Sequence, residues 1–171
     1  MRIALLSDTH DNSAAITQAA EKVKELEITA TLHCGDMVAP YILQQFKAEW
    51  PGTLYFVWGN NDGERGGLMK TAMESEGKLV CLETQRDLEL DGKRIFMTHF
   101  SPLSELVAKA GEYDFCFGGH DHTQRRVAYG RSIFVNPGNL TVKESQPFYK
   151  SNDHCFCVVD LLTSEVIRID L

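Results

Sequence analysis

Seven side chains able to offer a lone pair to a hard or borderline cation stand at the ends of apolar runs: Asp8, His10, Asp36, Asn60, His99, His120 and His122. The first two show how such a site is built. Ile3-Ala4-Leu5-Leu6 has the length and continuity of a strand buried on both faces, and it stops at Ser7-Asp8-Thr9-His10. Residues two apart in an extended chain point to the same side, so a carboxylate and an imidazole converge on one point. Taken alone, Asp8-x-His10 reads equally well as a polar strand exit that caps the following helix. The pattern then repeats: Thr29 to Cys34 ends at Gly35-Asp36, and Leu54 to Trp58 ends at Gly59-Asn60-Asn61-Asp62. Open α/β sheets collect their ligands at the carboxyl ends of strands, so these exits are where chemistry is expected. The seven donors mix oxygen and imidazole without thiolate, a set suited to Mn²⁺, Fe²⁺, Ni²⁺, Co²⁺ or Zn²⁺. Seven exceed the needs of one ion. Two ions about 3.5 to 4 Å apart and sharing one carboxylate would use them all, in the clamp typical of phosphoester hydrolysis.

The elements that must carry these residues alternate at first. A helix from Ser13, taken as its cap, to about Leu26 presents Ile16, Ala19, Ala20 and Val23 on one face. A second helix over Pro40 to Trp50 follows the next strand. Gly63 to Gly67, with three glycines and two charges, reads as a mobile loop beside the site, with a helix over Leu68 to Glu76. From Leu79 the pattern changes to short strands: Leu79 to Glu83, Asp87 to Leu90, the Asp91-Gly92 turn, then Lys93 to Thr98, with His99 directly after it. A short helix over Leu103 to Ala110 leads to Phe115 to Phe117 and Gly118-Gly119-His120-Asp121-His122. A hairpin over Arg125 to Val135, turning at Gly130, ends at Asn136-Pro137-Gly138-Asn139, and strands over Cys155 to Asp160 and Val166 to Asp170 close the chain. The first half is therefore β-α-β-α-β and the second mostly antiparallel, in one domain spanning 1–171 with two packed sheets and outer helices. His33 reads as a structural strand residue, His154 beside Asp153 as a solvated loop residue, and Gly118-Gly119 as tight packing under the histidine pair.

Composition narrows the function classes. At 171 residues, 43% hydrophobic and 24% charged, the chain has the make-up of a globular domain, with no apolar run long enough for a transmembrane helix. Cys34, Cys81, Cys116, Cys155 and Cys157 are an odd count without a Cys-x-x-Cys pair, which argues for free thiols and a cytoplasmic setting. A net charge of -7 counts against nucleic acid as a binding partner, except as a diester substrate.

Asp8-Thr9-His10, Gly35-Asp36, Gly59-Asn60-x-Asp62, His99 and Gly119-His120-Asp121-His122, in that order and all at strand exits, resemble the calcineurin-like metallophosphoesterase superfamily. Ser7-Asp8-Thr9-His10-Asp11-Asn12, Asn136-Pro137-Gly138 and the short chain are similar to its small YfcE-type branch. The resemblance implies an α/β fold, a four-layer αββα sandwich with two mixed β-sheets and outer helices. It implies one divalent ion on Asp8, His10, Asp36 and His122 and a second on Asp36, Asn60, His99 and His120, with Asp36 bridging and manganese the first choice. A hydroxide between the ions would attack a small phosphodiester in line, with Asn60, Asn61 and His99 as catalytic residues and Asn12, Asn61 and Asn139 as substrate contacts. Two positions depart from the family pattern. Asn61 stands where a histidine is usual, so leaving-group protonation is lost and diesters are favoured over alkyl monoesters; Asn139 replaces a serine near the metals. The competing expectation is a fold kept as a protein-interaction scaffold, as in the retromer subunit that resembles this family. Homo-oligomer formation is compatible with either.

Overall fold

A computed structural model describes residues 1–141 and 154–171. Its elements are β1 (Arg2–Leu6), α1 (Ser13–Glu25), β2 (Ala30–His33), α2 (Pro40–Glu49), β3 (Thr53–Phe56), α3 (Arg65–Met73), β4 (Leu79–Cys81), β5 (Gln85–Leu90), β6 (Lys93–Phe100), α4 (Ser101–Ala110), β7 (Phe115–Gly119), β8 (Arg125–Tyr129), β9 (Ser132–Asn136), β10 (Cys155–Asp160) and β11 (Val166–Asp170). They form a six-stranded sheet in the order β11-β10-β1-β2-β3-β4 and a five-stranded sheet in the order β5-β6-β7-β9-β8. Both sheets are mixed. In the first, β1 to β4 run parallel while β10 and β11 add antiparallel strands beyond β1.

Alternation along the strands divides the core into three apolar layers. Ala4 and Leu6 of β1 face one way and join Ile16, Ala19 and Val23 of α1, Ile42, Leu43 and Phe46 of α2, and Leu68 and Ala72 of α3. Ile3 and Leu5 face the other way and meet Ile95, Met97, Phe115, Phe117 and Val135 of the second sheet. On the far side of that sheet, Phe96, Cys116 and Phe134 pack against Ala108 of α4. Three helices, two sheets and one further helix therefore make the four-layer sandwich. No described helix is long and apolar enough to cross a membrane, and all five cysteines are free, four of them buried.

Four local expectations are corrected. The second half is less antiparallel than expected: β6, β7 and β9 run parallel at the centre of their sheet, and only the edge strands β5 and β8 oppose them. The continuous apolar runs Ile95–Met97 and Phe115–Phe117 are what a parallel strand covered on both faces requires. Helix α1 is capped by Asn12, whose Oδ1 accepts from Ala15 N at 3.3 Å, with Ser13 its first residue. The expected loop over 63–67 is shorter, because α3 begins at Arg65. A Cβ on Gly67 would lie 2.7 Å from Pro40 Cγ, so the glycine lets α3 approach α2 and is not a sign of looseness. His154 is half-buried and bridged to Asn139; its Nδ1 lies 3.3 Å from Leu171 O and its Nε2 3.5 Å from Asn12 Nδ2. Its neighbour Asp153 lies outside the described residues.

His33 is structural, as expected. It is fully buried, its Nδ1 accepts from Gly35 N at 3.1 Å, and its ring stands edge-on to Phe46. Burial pushes its pKa down to about 4, against the pull of Asp62 and Asp8. Because the folded state resists protonation, this contribution to stability is complete above about pH 6.5 and declines toward pH 4, at up to about 1.4 kcal/mol per pH unit. In EDTA, His33→Asn retains an acceptor for Gly35 N and flattens the fall in urea-derived stability between pH 6.5 and 4.5. An unchanged slope would show that His33 does not carry it.

Candidate metal centre

The parallel strands of both sheets deliver their carboxyl ends to one place. Asp8 and His10 leave β1, Asp36 leaves β2, Asn60 leaves β3, His99 lies at the end of β6, and His120 and His122 follow β7. The β1 and β2 exits are laced together, as Asp8 N donates to Gly35 O and His10 N to Asp36 O, each at 3.0 Å. Gly35 takes φ +95°, the left-handed turn that its place in the sequence predicts.

The result is a compact donor cluster. Asp8 and His99 are fully buried, and Asp36 and His122 nearly so. His122 Nε2 lies 3.2 Å and His10 Nε2 3.7 Å from Asp8 Oδ1. Asp36 Oδ2 sits between two imidazoles, 3.4 Å from His10 Nε2 and 3.5 Å from His99 Nε2. His99 Nε2 is also 2.9 Å from Asn60 Oδ1 and 3.2 Å from His120 Nδ1. Donors at about 2.1 Å from a common ion are separated by about 3 to 4.2 Å, the spread seen here. Asp8-His10-His122 and Asp8-Asp36-His99 each gather within 4.8 Å, so Asp8 belongs to both groups. All seven expected ligands are thus brought together.

The electrostatics call for positive charge. Asp8 Oδ1 and His10 Nε2 are buried and have no hydrogen-bond partner among the described residues. Burial opposes ionisation of Asp8, but the imidazoles of His10, His122 and His99 outweigh it and hold the carboxyl well below the usual range. Burial lowers and Asp8 raises the His10 pKa, with a net rise. His99 Nδ1 faces Cys34 O at 2.8 Å. A carbonyl can only accept, so Nδ1 carries the proton and Nε2 is left with its lone pair for the cluster. Burial also holds the neighbouring Cys34 thiol well above its usual pKa, so it stays protonated and outside the donor set.

The remaining expected site residues divide. Asn61 donates from its backbone to Asp36 Oδ1 at 2.8 Å and from Nδ2 to Asp36 Oδ2 at 2.7 Å. Asn12 Nδ2 donates to Leu140 O at 2.8 Å while its Oδ1 caps α1, so both ends of that amide are engaged by the protein. Asn139 is buried; its Nδ2 donates to His122 O at 3.1 Å and its Oδ1 accepts from Thr141 N at 3.2 Å. Asp62, whose task the sequence leaves open, is a strut: Oδ2 accepts from Asp36 N at 2.9 Å and Gly59 N at 2.7 Å, and Oδ1 from Val38 N at 2.7 Å. Asn136 escapes sequence reasoning except as part of Asn136-Pro137-Gly138. Its Nδ2 donates to Asp121 Oδ1 at 2.7 Å and Gly119 O at 3.2 Å, which fixes the loop carrying His120 and His122. A cavity of about 510 Å³ lined by Trp58, Arg65, Gly66, Met69, Cys81, Glu83 and Thr84 adjoins Gly59 in sequence but contains none of the seven.

Residues 1–164 match the family model of the calcineurin-like phosphoesterase superfamily domain. Phosphodiesterase MJ0936 of Methanocaldococcus jannaschii is 29% identical over 140 residues, covering 81% of this chain and 83% of that protein. The solved structure of an archaeal phosphodiesterase superposes with a TM-score of 0.87 at 26% identity, covering 100% of both chains. Two more distant structures share the fold: YfcE of E. coli, with a TM-score of 0.65, 16% identity and coverage of 99% and 98%, and Vps29 of Entamoeba histolytica, with 0.69, 15%, and 100% and 99%.

Gly119 sets the distance between the β7 loop and the β1 exit. A Cβ there would lie 1.8 Å from Ser7 Oγ and 2.6 Å from Asp8 Oδ2. Gly119→Ala therefore pushes Asp8 and the His120 loop apart, and if this cluster binds a divalent cation the variant should bind it at least about tenfold more weakly than wild type in a metal titration. Wild-type affinity in this variant would show that the close approach is not needed.

Proposed function

The chain belongs to the calcineurin-like phosphoesterase superfamily, and on that premise we propose that it is a metal-dependent phosphodiesterase that hydrolyses small phosphodiesters at a dinuclear centre. The observation that carries this reading is the position of Asp36 Oδ2 between His10 and His99, beside a buried Asp8 oxygen and a His10 nitrogen that lack hydrogen-bond partners. Asp8, His10, Asp36 and His122 would hold one ion, and Asp36, Asn60, His99 and His120 the other. Oxygen and imidazole donors without thiolate suit a divalent ion such as Mn²⁺, Fe²⁺, Ni²⁺, Co²⁺ or Zn²⁺, and the family resemblance makes Mn²⁺ the first to try. When bound, the two ions supply Lewis acidity, charge neutralisation on the phosphoryl oxygens and a solvent nucleophile of lowered pKa for in-line attack. A relative named a phosphodiesterase adds to the reading.

The chain's own residues then do the positioning. The proton on His99 Nδ1 is held by Cys34 O, which fixes the ring with Nε2 toward the ions. Asp62 holds the Asp36 backbone, and Asn61 grips both carboxylate oxygens of Asp36. Asn61 is exposed, and of the three expected substrate contacts it alone has its amide at the metal donors; Asn12 and Asn139 are occupied with the protein. An amide donates a hydrogen bond but supplies no proton to a departing alkoxide. Substrates whose leaving group departs as a stable anion therefore fit best, such as aryl diesters. The free thiols suit a cytoplasmic protein.

Metal analysis together with turnover of bis(p-nitrophenyl) phosphate under Mn²⁺ tests the reading. About two ions per chain and hydrolysis of the diester are expected. A fully loaded protein that turns over no diester would overturn it in favour of a scaffold. Asp36→Ala should lose both ions and lower diester turnover by more than about a hundredfold; retention of either ion at full affinity would refute the bridging assignment. Asn61→His restores a proton donor, so monoester turnover should rise relative to diester turnover by about tenfold or more. An unchanged ratio would show that position 61 does not set the preference.

A further inference from the structure

Phe100 ends β6 directly after His99 and precedes α4 as its N-cap residue. The rest of that strand from Ile95 to His99 is buried, yet Phe100 is 43% exposed. Its ring stands edge-on to two of the donor imidazoles, with centroids 5.2 Å from His99 at 72° and 5.1 Å from His120 at 65°. Isolated exposed apolar side chains are ordinary on a protein surface. This one is held in place by two rings that are themselves fixed: His99 by Cys34 O, and His120 through its backbone N–H to Asp8 Oδ2 at 2.9 Å. Leu103, 37% exposed, lies three residues on, in the first turn of α4.

The chemistry of a phosphoester says what meets the Phe100 ring. The first carbon of each organic group is two bonds from phosphorus. A phosphoryl group held at His99 and His120 must therefore lay an organic group on whatever lines the site within the next few ångströms. Phe100 is that surface on the His99 and His120 side. We propose that Phe100 is the subsite for the organic group of the substrate and that it selects a planar aromatic group, aryl or nucleobase, over an alkyl group. Ring-on-ring contact supplies the preference, because a flat π-system meets Phe100 face or edge while an alkyl chain gains only burial. The inference rests on the phosphoesterase reading above and names the kind of ester it takes.

Calorimetric titration of the Mn²⁺-loaded protein with phenylphosphonate and cyclohexylphosphonate, which match in size and cannot be hydrolysed as esters, tests it without relying on turnover. Wild type should bind phenylphosphonate about tenfold more tightly, an advantage that falls to about onefold to twofold in Phe100→Ala and persists in Phe100→Tyr. In turnover, Phe100→Ala should raise KM for bis(p-nitrophenyl) phosphate more than it lowers kcat. An undiminished phenyl advantage in Phe100→Ala would overturn the inference. So would an equal loss of both phosphonates or a loss of bound Mn²⁺, either of which would make Phe100 a mere support for the two histidines. If loaded wild type binds neither phosphonate and hydrolyses no diester, the phosphoesterase reading itself fails and takes this subsite with it.

Discussion

Two buried carboxylates, Asp8 and Asp36, are the constraint around which the rest of the molecule is arranged. Their described partners are imidazoles, backbone amides and the Asn61 side-chain amide; among the described residues no lysine or arginine side chain pairs with either. Burying a carboxylate without a counter-charge is expensive, and an imidazole neutralises it only while protonated. Divalent cations bound among the same oxygens and nitrogens, as proposed above, would supply that counter-charge. Asp62 makes the contrast. It is equally buried in the same cluster but accepts three backbone N–H bonds, so it is satisfied by the chain itself. One acid of the group is satisfied by backbone N–H groups, while the other two face mainly imidazoles among the described residues.

The backbone bears a cost for this arrangement. Asp8, His10, Asp36, His120 and His122 all have positive φ, from +40° at His10 to +74° at His120. Asp and His tolerate the left-handed region better than most residues, yet each such residue still costs of order 1 kcal/mol. Strain of this kind persists where the surroundings over-determine it. Here they do so through parallel strand pairing below the loops, with Leu6 opposite His33 and His33 opposite Phe56, and through backbone bonds above it, including Leu140 N to Asp8 O at 3.1 Å. The four-layer packing therefore matters to the site as a rigid frame that holds several unfavourable turns in register at once.

The frame and the donors were legible in the sequence for one reason. A strand covered on both faces reads as an unbroken apolar run, and in an open sheet its polar end is where ligands gather, so order along the chain was enough to collect all seven. What was not legible turns on residues whose type serves two purposes. Asn12 beside the donors reads as a substrate contact, but an asparagine at that spacing is also a good helix cap, and the structure uses it so. Gly66 and Gly67 read as a loop because glycine signals flexibility, whereas a close approach of α3 to Pro40 requires the same residue. Phe100 lies just past the expected strand over Lys93 to Thr98 and carries no signal in the sequence; only the end of β6 and the turn into α4 put it at the surface. The parallel centre of the second sheet was written in its apolar runs but was outvoted by the Asp91-Gly92 and Gly130 hairpin signals, which hold for the edge strands alone.

Position 61 shows why a departure from a family pattern is more than the loss of one function. A histidine there would offer a proton to the leaving group. Asn61 instead offers a side-chain N–H and, with its backbone N–H, spans both oxygens of Asp36 at 2.7 and 2.8 Å. A histidine there would keep the backbone N–H to Asp36 Oδ1 and replace only the side-chain donor to Oδ2. On the proposed reading, residue 61 therefore bears both on proton supply and on the hydrogen bonding of Asp36. Asp62 is the physical link: Gly59 N and Asp36 N converge on its Oδ2, so the loop carrying position 61 and the loop carrying Asp36 are tied at one atom. A change at 61 that tilts its loop therefore acts on Asp36 through these hydrogen bonds as well as on any group bound beside it.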